Sequence, residues 1–401
     1  MADAKWKPYR LDELGFIGRG KSRHRPRNDA RLYGGPYPFV QTADVMAADP
    51  YITSCSQTYS EFGFQQSKMW PPETLCMTIA GANTAKTAIL RIEACFPDSV
   101  VGFIPDKSKA DLFFVKYSLD LMKHRFLAVS RGATQDNLSL DKILSFPIPA
   151  PCIDDQRRIG AILSTYEQLI ENNRQRIRVL ESMARGMYRE WFVNFRFPGH
   201  EKLKHVTSPF GSIPEGWKFT PLSSLVDFAK GRKPKETRRE RLPGDIKLLL
   251  IDSLHGGDPV FTPPERLVLA EARDTIMVMD GASSCEVTIG SSGAVGSTLG
   301  RFRTTKPNVF PPHVLYHFLE RKAEDFKSKN IGAAIPHANK DYILMQPVAL
   351  PPEAIASEFH AQIEPIQSMV ELLKARNQNL RQTRDLLLPR LLSGQLNLET
   401  N

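Results

Sequence analysis

The chain lacks most of what an enzyme, a secreted scaffold or a membrane protein needs. Its 401 residues hold five cysteines, Cys55, Cys76, Cys95, Cys152 and Cys285, and no CxxC pair, so neither a disulfide framework nor a cysteine zinc site is expected. No stretch approaches the roughly 18 consecutive apolar residues of a membrane span. The opening MADAKWKPYR has no apolar signal-peptide core, so no membrane association and cytoplasmic residence are expected. His313 and His317 share one helical face, but without an HExxH glutamate or a clear third ligand no metal site is expected. The Pro-Pro pairs in WPPE, TPPE, FPPH and LPPE lack the preceding Asp, Asn or Ser and the following aromatic with which an amino-methyltransferase grips its target nitrogen. No catalytic residues are assigned.

Positive charge is plentiful. The formal net charge is +9, which suits a nucleic-acid partner only if the charge is clustered. Arg19, Lys21, Arg23, Arg25, Arg27 and Arg31 stand against Asp29 alone, and Lys230, Arg232, Lys233, Lys235, Arg238, Arg239 and Arg241 against Glu236 and Glu240.

These clusters recur because the sequence recurs. A shift of 200 lays TLCMTIAGAN from Thr74 on DTIMVMDGAS from Asp274. It also lays Gly132-Ala133 on Gly332-Ala333, Asp141 on Asp341 and Pro151 on Pro351, reading as unbroken over more than fifty residues. Nearer the start the shift is 211, matching Trp6-Lys7 to Trp217-Lys218 and Gly20 to Gly231, so the first copy carries eleven extra residues (211 minus 200) between Gly20 and Thr74. Each copy mixes short strands such as YPFVQTADV and IKLLLIDSL with a helix such as the one near Lys107 to His124, an α+β pattern.

GFIGRGKS, Gly15 to Ser22, meets P-loop spacing, and IMVMD could be its acidic strand, which makes an ATPase or nuclease with its own site one alternative. The preceding YRLDEL is too polar for the buried strand that feeds a phosphate loop, and the second copy has Val226 and Ala229 in place of Gly15 and Gly18. A coiled-coil assembly scaffold is the other alternative.

After each copy a proline-rich junction, FPIPAPCIDDQRR or QPVALPPEAIASEF, leads into a heptad helix. One seam runs Ile159, Leu163, Tyr166, Ile170, Asn173, Ile177, Leu180, Ala184, Met187, Trp191; the other runs Phe359, Ile363, Ile366, Val370, Leu373, Asn377, Leu380, Arg384, Leu387, Leu391. Paired antiparallel with residue numbers summing to 550, apolar meets apolar, Trp191 meets Phe359, Asn173 meets Asn377, and Tyr166 meets Arg384 as a stacking pair. Facing asparagines satisfy each other and so set the register. Helices of 33 residues, 159 to 191 and 359 to 391, span roughly 50 Å. The expected fold is thus two repeated domains separated by two long antiparallel coiled-coil helices about a pseudo-two-fold axis. Its boundaries are 1–152 for the first domain, 153–196 for the first helix, 197–215 for a linker, 216–352 for the second domain, 353–394 for the second helix and 395–401 for a tail.

The doubled order of a Trp-Lys opening, basic turn, Gly-Ala strand end, proline junction and heptad helix resembles the specificity subunit of type I restriction-modification enzymes. PIPAPCIDDQRRIGAIL and RDLLLPRLLSGQL carry the resemblance most specifically, although the second junction lacks a counterpart of Gln156. The resemblance implies two target-recognition domains, each reading half of a split double-stranded DNA site, with helices that space them and dock two methyltransferase subunits. A restriction-translocase subunit joins such complexes. S-adenosylmethionine, ATP and Mg would then belong to the partners, leaving this chain without a cofactor. Candidate DNA contacts are Lys21, Arg23, Arg25, Lys86, Gln135, Asn137, Arg232, Lys233, Lys235, Arg238, His337 and Asn339.

Overall fold

The computed structural model describes residues 6–81, 84–130, 138–254, 257–264, 266–332 and 335–396. It divides into two compact units, Met1–Asn173 with Arg376–Asn401, and Arg174–Ala375. Four helices organise them: α1 Leu112–Leu121, α2 Ile153–Phe192, α3 Pro312–Ser328 and α4 Glu353–Leu392. The unit boundaries fall inside α2 and α4, so each unit holds part of both.

In the first unit one sheet has the order Gly15–Arg19, Val100–Pro105, Leu75–Thr78, Thr87–Leu90, Tyr51–Ile52. A second has the order Gln57–Tyr59, Tyr33–Phe39, Ala94–Cys95, Met69–Trp70, and Lys7–Tyr9 pairs with Ile148–Ala150. The second unit repeats this plan. Its sheets run Val226–Lys230, Leu299–Thr304, Thr275–Val278, Val287–Thr288, and Val260–Thr262, Ile246–Leu249, Gly293–Val295, Leu269–Ala270, with Lys218–Pro221 on Pro347–Leu350. Even the parallel pair recurs, Phe39 beside Cys95 and Leu248 beside Ala294. Leu75–Thr78 and Thr275–Val278 are buried along their whole length, as strands covered on both faces must be, and therefore read as nearly continuous apolar runs with one threonine each. The first copy's extra residues include Tyr51–Ile52, which adds a fifth, parallel strand beside Thr87–Leu90.

The repeat is not in unbroken register. Val101 faces Met77, whereas Gly300 faces Met277, a shift of 199 (300 minus 101) where 200 was expected. The residue is lost between Val287–Thr288 and Gly293–Val295 and regained before α3; turns absorb a deletion that a paired strand cannot. The segment expected as a linker, 197–215, is also structured: His205–Ser208 pairs with Gly211–Pro214, and Phe197 and Ile213 enter the second core beside Trp217.

Both long helices have 40 residues, longer than the 33 of the heptad seam, because each starts directly after its prolines, α2 with Asp154 and Asp155 in the dipole-favoured first turn. Within the first unit Ile159 and Leu163 share a core with Leu388 and Leu391, and Asn173 Nδ2 donates to Asn377 Oδ1 at 2.9 Å. Asn377 in turn donates to the Ile170 carbonyl at 3.3 Å. Within the second unit Ile177 packs with Val370 and Leu373, and the Trp191 and Phe359 rings lie 5.5 Å apart. Helix numbers rise on one side as they fall on the other, so the pairing is antiparallel in each unit.

Tyr166 is not the partner of Arg384. The next residue, Glu167, is the one buried, and Arg384 bonds Glu167 while lying over the ring of Tyr117 on α1, 5.8 Å from its centroid. A cation facing the seam takes a carboxylate before a ring, because only the carboxylate neutralises it. Gln156 also has an internal role: it accepts from the Asp111 amide at 3.2 Å and donates to the carbonyls of Lys109 and Pro151, bracketing α1 to the start of α2.

Candidate nucleic-acid interface

Each unit builds its basic turn at the same pivot. Gly20 and Gly231 end edge strands, and their amides donate to Val100 and Leu299, both at 2.9 Å. A Cβ at Gly20 would lie 2.3 Å from the carbonyl oxygens of Phe96 and Pro97, and one at Gly231 would lie 2.2 Å from that of Gly296. Only glycine allows this approach. The next residue repeats the match, Lys21 bonding Phe96 and Arg232 bonding Val295 through their amides. The chain then leaves the sheet as the cation-rich turn.

The fold neutralises part of that charge. Asp98, remote in sequence, takes Arg27 at 2.7 Å and Arg25 at 3.8 Å, while Asp29 takes Arg31 and His24. Arg25 also donates to the Ser22 and His24 carbonyls. Arg238 is held by Glu236 and the buried Asp245 and is bridged to Phe261. Asn339 caps the helix Lys340–Leu344 through the Tyr342 amide, as Ser139 caps Leu140–Leu144. Arg23, Arg232 and Lys233 are exposed and have no ion-pair partner among the described residues, and Lys235 is exposed. Lys21 is half-buried. Lys86 is half-buried too, and burial pushes its ammonium below the ordinary value. Gln135 and Asn137 lie outside the described residues.

In the second unit the turn borders a cleft of about 490 Å³ lined by Phe228, Lys230, Asp280, His337 and Lys340. Asp280 accepts from His337 at 2.7 Å and pairs with Lys230 at 2.9 Å. Burial opposes its charge, but these bonds outweigh it and hold the carboxyl below its usual range. Lys340 stands over Phe228 at 5.4 Å. In the first unit Phe16 is 52% exposed on the edge strand, tilted against Trp70, with the Lys68 ammonium 4.5 Å from its centroid. Sequence reasoning missed Phe16 and Lys68, since no short-range signal joins residues 52 positions apart.

The P-loop reading fails on geometry. Gly15–Arg19 is a strand, Ser22 is buried against Tyr59, and irregular chain rather than a helix follows, so no row of helix amides faces a phosphate there.

The sequence pattern of the type I restriction modification DNA specificity domain matches residues 3–182 and again 214–382. The chain belongs to this family. Its two matched segments carry the two basic turns just described. Among the family's members, the type I restriction enzyme MjaIX specificity subunit of Methanocaldococcus jannaschii is 20% identical, over 98% of this chain and 94% of that one. The HindI specificity subunit of Haemophilus influenzae is 20% identical, over 68% of this chain and 74% of that one. The crystal structure of the type I restriction-modification S subunit from M. genitalium is similar in fold, with a TM-score of 0.60 at 15% identity over 98% of this chain and 97% of that one. Among the described residues of this specificity-family chain, no helix is long and apolar enough to cross a membrane.

Proposed function

We propose that the chain is a non-catalytic specificity subunit that reads a DNA target in two parts, one per unit, and carries methyltransferase subunits on its long helices. The supporting observation is the pivot shared by Gly20 and Gly231: the same backbone device launches a basic turn in both units, while the side chains that follow differ. Arg23, Arg232, Lys233 and Lys235 supply phosphate contacts that position the duplex, and the cleft around Asp280 and His337 is a candidate for base-edge contact. Lys21 and Lys86 stand closer to the framework. S-adenosylmethionine, and ATP with Mg where a restriction subunit joins, act on the partners.

Replacing Arg232 and Lys233 together with alanine is expected to weaken DNA binding by the assembled complex and leave the methylated sequence unchanged. Each lost phosphate contact reduces the slope of log K against log salt by about 0.9, so the double change reduces it by about 1.8. An unchanged slope would remove both residues from the interface.

A further inference from the structure

Where α3 meets the first turns of α4, ligating groups converge that DNA reading does not use. His313 lies on α3, and His360 and Glu364 lie one turn apart on α4; one donor atom from each lies within 4.8 Å of the others. His313 is 1% exposed, and its Nε2 stands 2.8 Å from Glu364 Oε2. Its ring is stacked with that of His360, centroids 6.0 Å apart. The Nδ1 atoms of both histidines are buried without a hydrogen-bond partner among the described residues. A buried polar atom left unpaired is costly, and a cation satisfies an imidazole lone pair.

The surroundings suit a positive ion. Arg273 bonds the other carboxylate oxygen of Glu364 and reaches Glu371 at 2.7 Å, orienting Glu364 as an outer-shell partner does. Two carboxylates against one guanidinium leave one net negative charge when both imidazoles are neutral.

The other copy shows what is particular to this place. At the shift of 200, His313, His360 and Glu364 correspond to Phe113, Gly160 and Ser164. The first unit instead brackets its helix junction with Asp111, which caps α1, and Gln156. Their counterparts Pro311 and Ala356 have no side-chain hydrogen bond to offer.

We propose that His313, His360 and Glu364 form a divalent-metal site that clamps α3 to α4 in place of that bracket. Two imidazoles and one carboxylate, with water as fourth ligand, select zinc over calcium or magnesium.

The test uses the full-length chain, stripped with chelator and reloaded with Zn²⁺ or Co²⁺. The expected result is one zinc per chain, a melting temperature higher with zinc than with chelator, and visible Co²⁺ bands of a four-coordinate site. His360→Gln and Glu364→Gln should each weaken zinc binding by at least about ten-fold, the lower end for disturbing a metal's immediate surroundings. His313→Phe, which copies Phe113, should abolish the Co²⁺ bands while keeping an apolar ring in the core. Absence of retained zinc and of Co²⁺ bands in the unaltered chain overturns the proposal, and so do bands undiminished in His360→Gln. A variant that misfolds leaves the measurement on the unaltered chain to decide.

Discussion

At the scale of residues, the first unit's most exacting contact is the buried group of Tyr117, Glu167 and Arg384. Burial works against the Arg384 charge, but Tyr117 and Glu167 beside it hold the guanidinium above its ordinary value. Arg384→Met strands the Glu167 carboxylate, which is 1% exposed, and should cost about 3 to 5 kcal/mol. The equivalent place in the second unit has Gln367 and Ala184, two linings of one small pocket. Combining Arg384→Ala with Glu167→Gln therefore installs a neutral pair that this fold already uses, and chemical denaturation should show most of the loss recovered. A double variant as unstable as Arg384→Met would mean that the stranded charge is not the cause. Other residue roles were hidden in the sequence for the same reason. Asp98 quenches Arg25 and Arg27 across more than seventy positions, Asp245 immobilises Arg238, and Asn339 is a helix cap, so a count of basic and polar residues overstated what is free to face DNA.

At the scale of elements, the long helices were legible because a heptad seam writes its partner face into the spacing of the apolar residues. Asn173 and Asn377 are legible as a pair only when both seams are laid side by side. Tyr166 was misread because the neighbouring Glu167 is drawn inward by α1, an element outside the helix pair. Asn173→Leu removes the donor to Asn377 Oδ1 and should destabilise the chain by about 1 to 3 kcal/mol. The second unit has Ile177 and Leu373 at the equivalent positions. Asn173→Leu with Asn377→Ile should thus restore stability to near or above the starting level while weakening the preference for a single register. Equal losses in the single and double variants would contradict the pairing.

At the scale of the whole molecule, duplication was the clearest signal in the sequence, and the two units repeat one sheet order strand for strand, apart from Tyr51–Ile52 in the first and the pair His205–Ser208 and Gly211–Pro214 in the second. The one-residue slip near Gly293 could not be seen by matching glycines and prolines, because these mark turns, and turns tolerate deletions. Repeated frameworks with unlike surfaces predict a split, asymmetric target. The most direct measurement is to replace residues 1 to 150 with those of another family member and map methylated positions by single-molecule sequencing of DNA modified by the complete complex. One half of the target should change, while the other half and the gap stay as they were. A changed second half, or an ungapped palindromic target in the unaltered complex, would contradict the account.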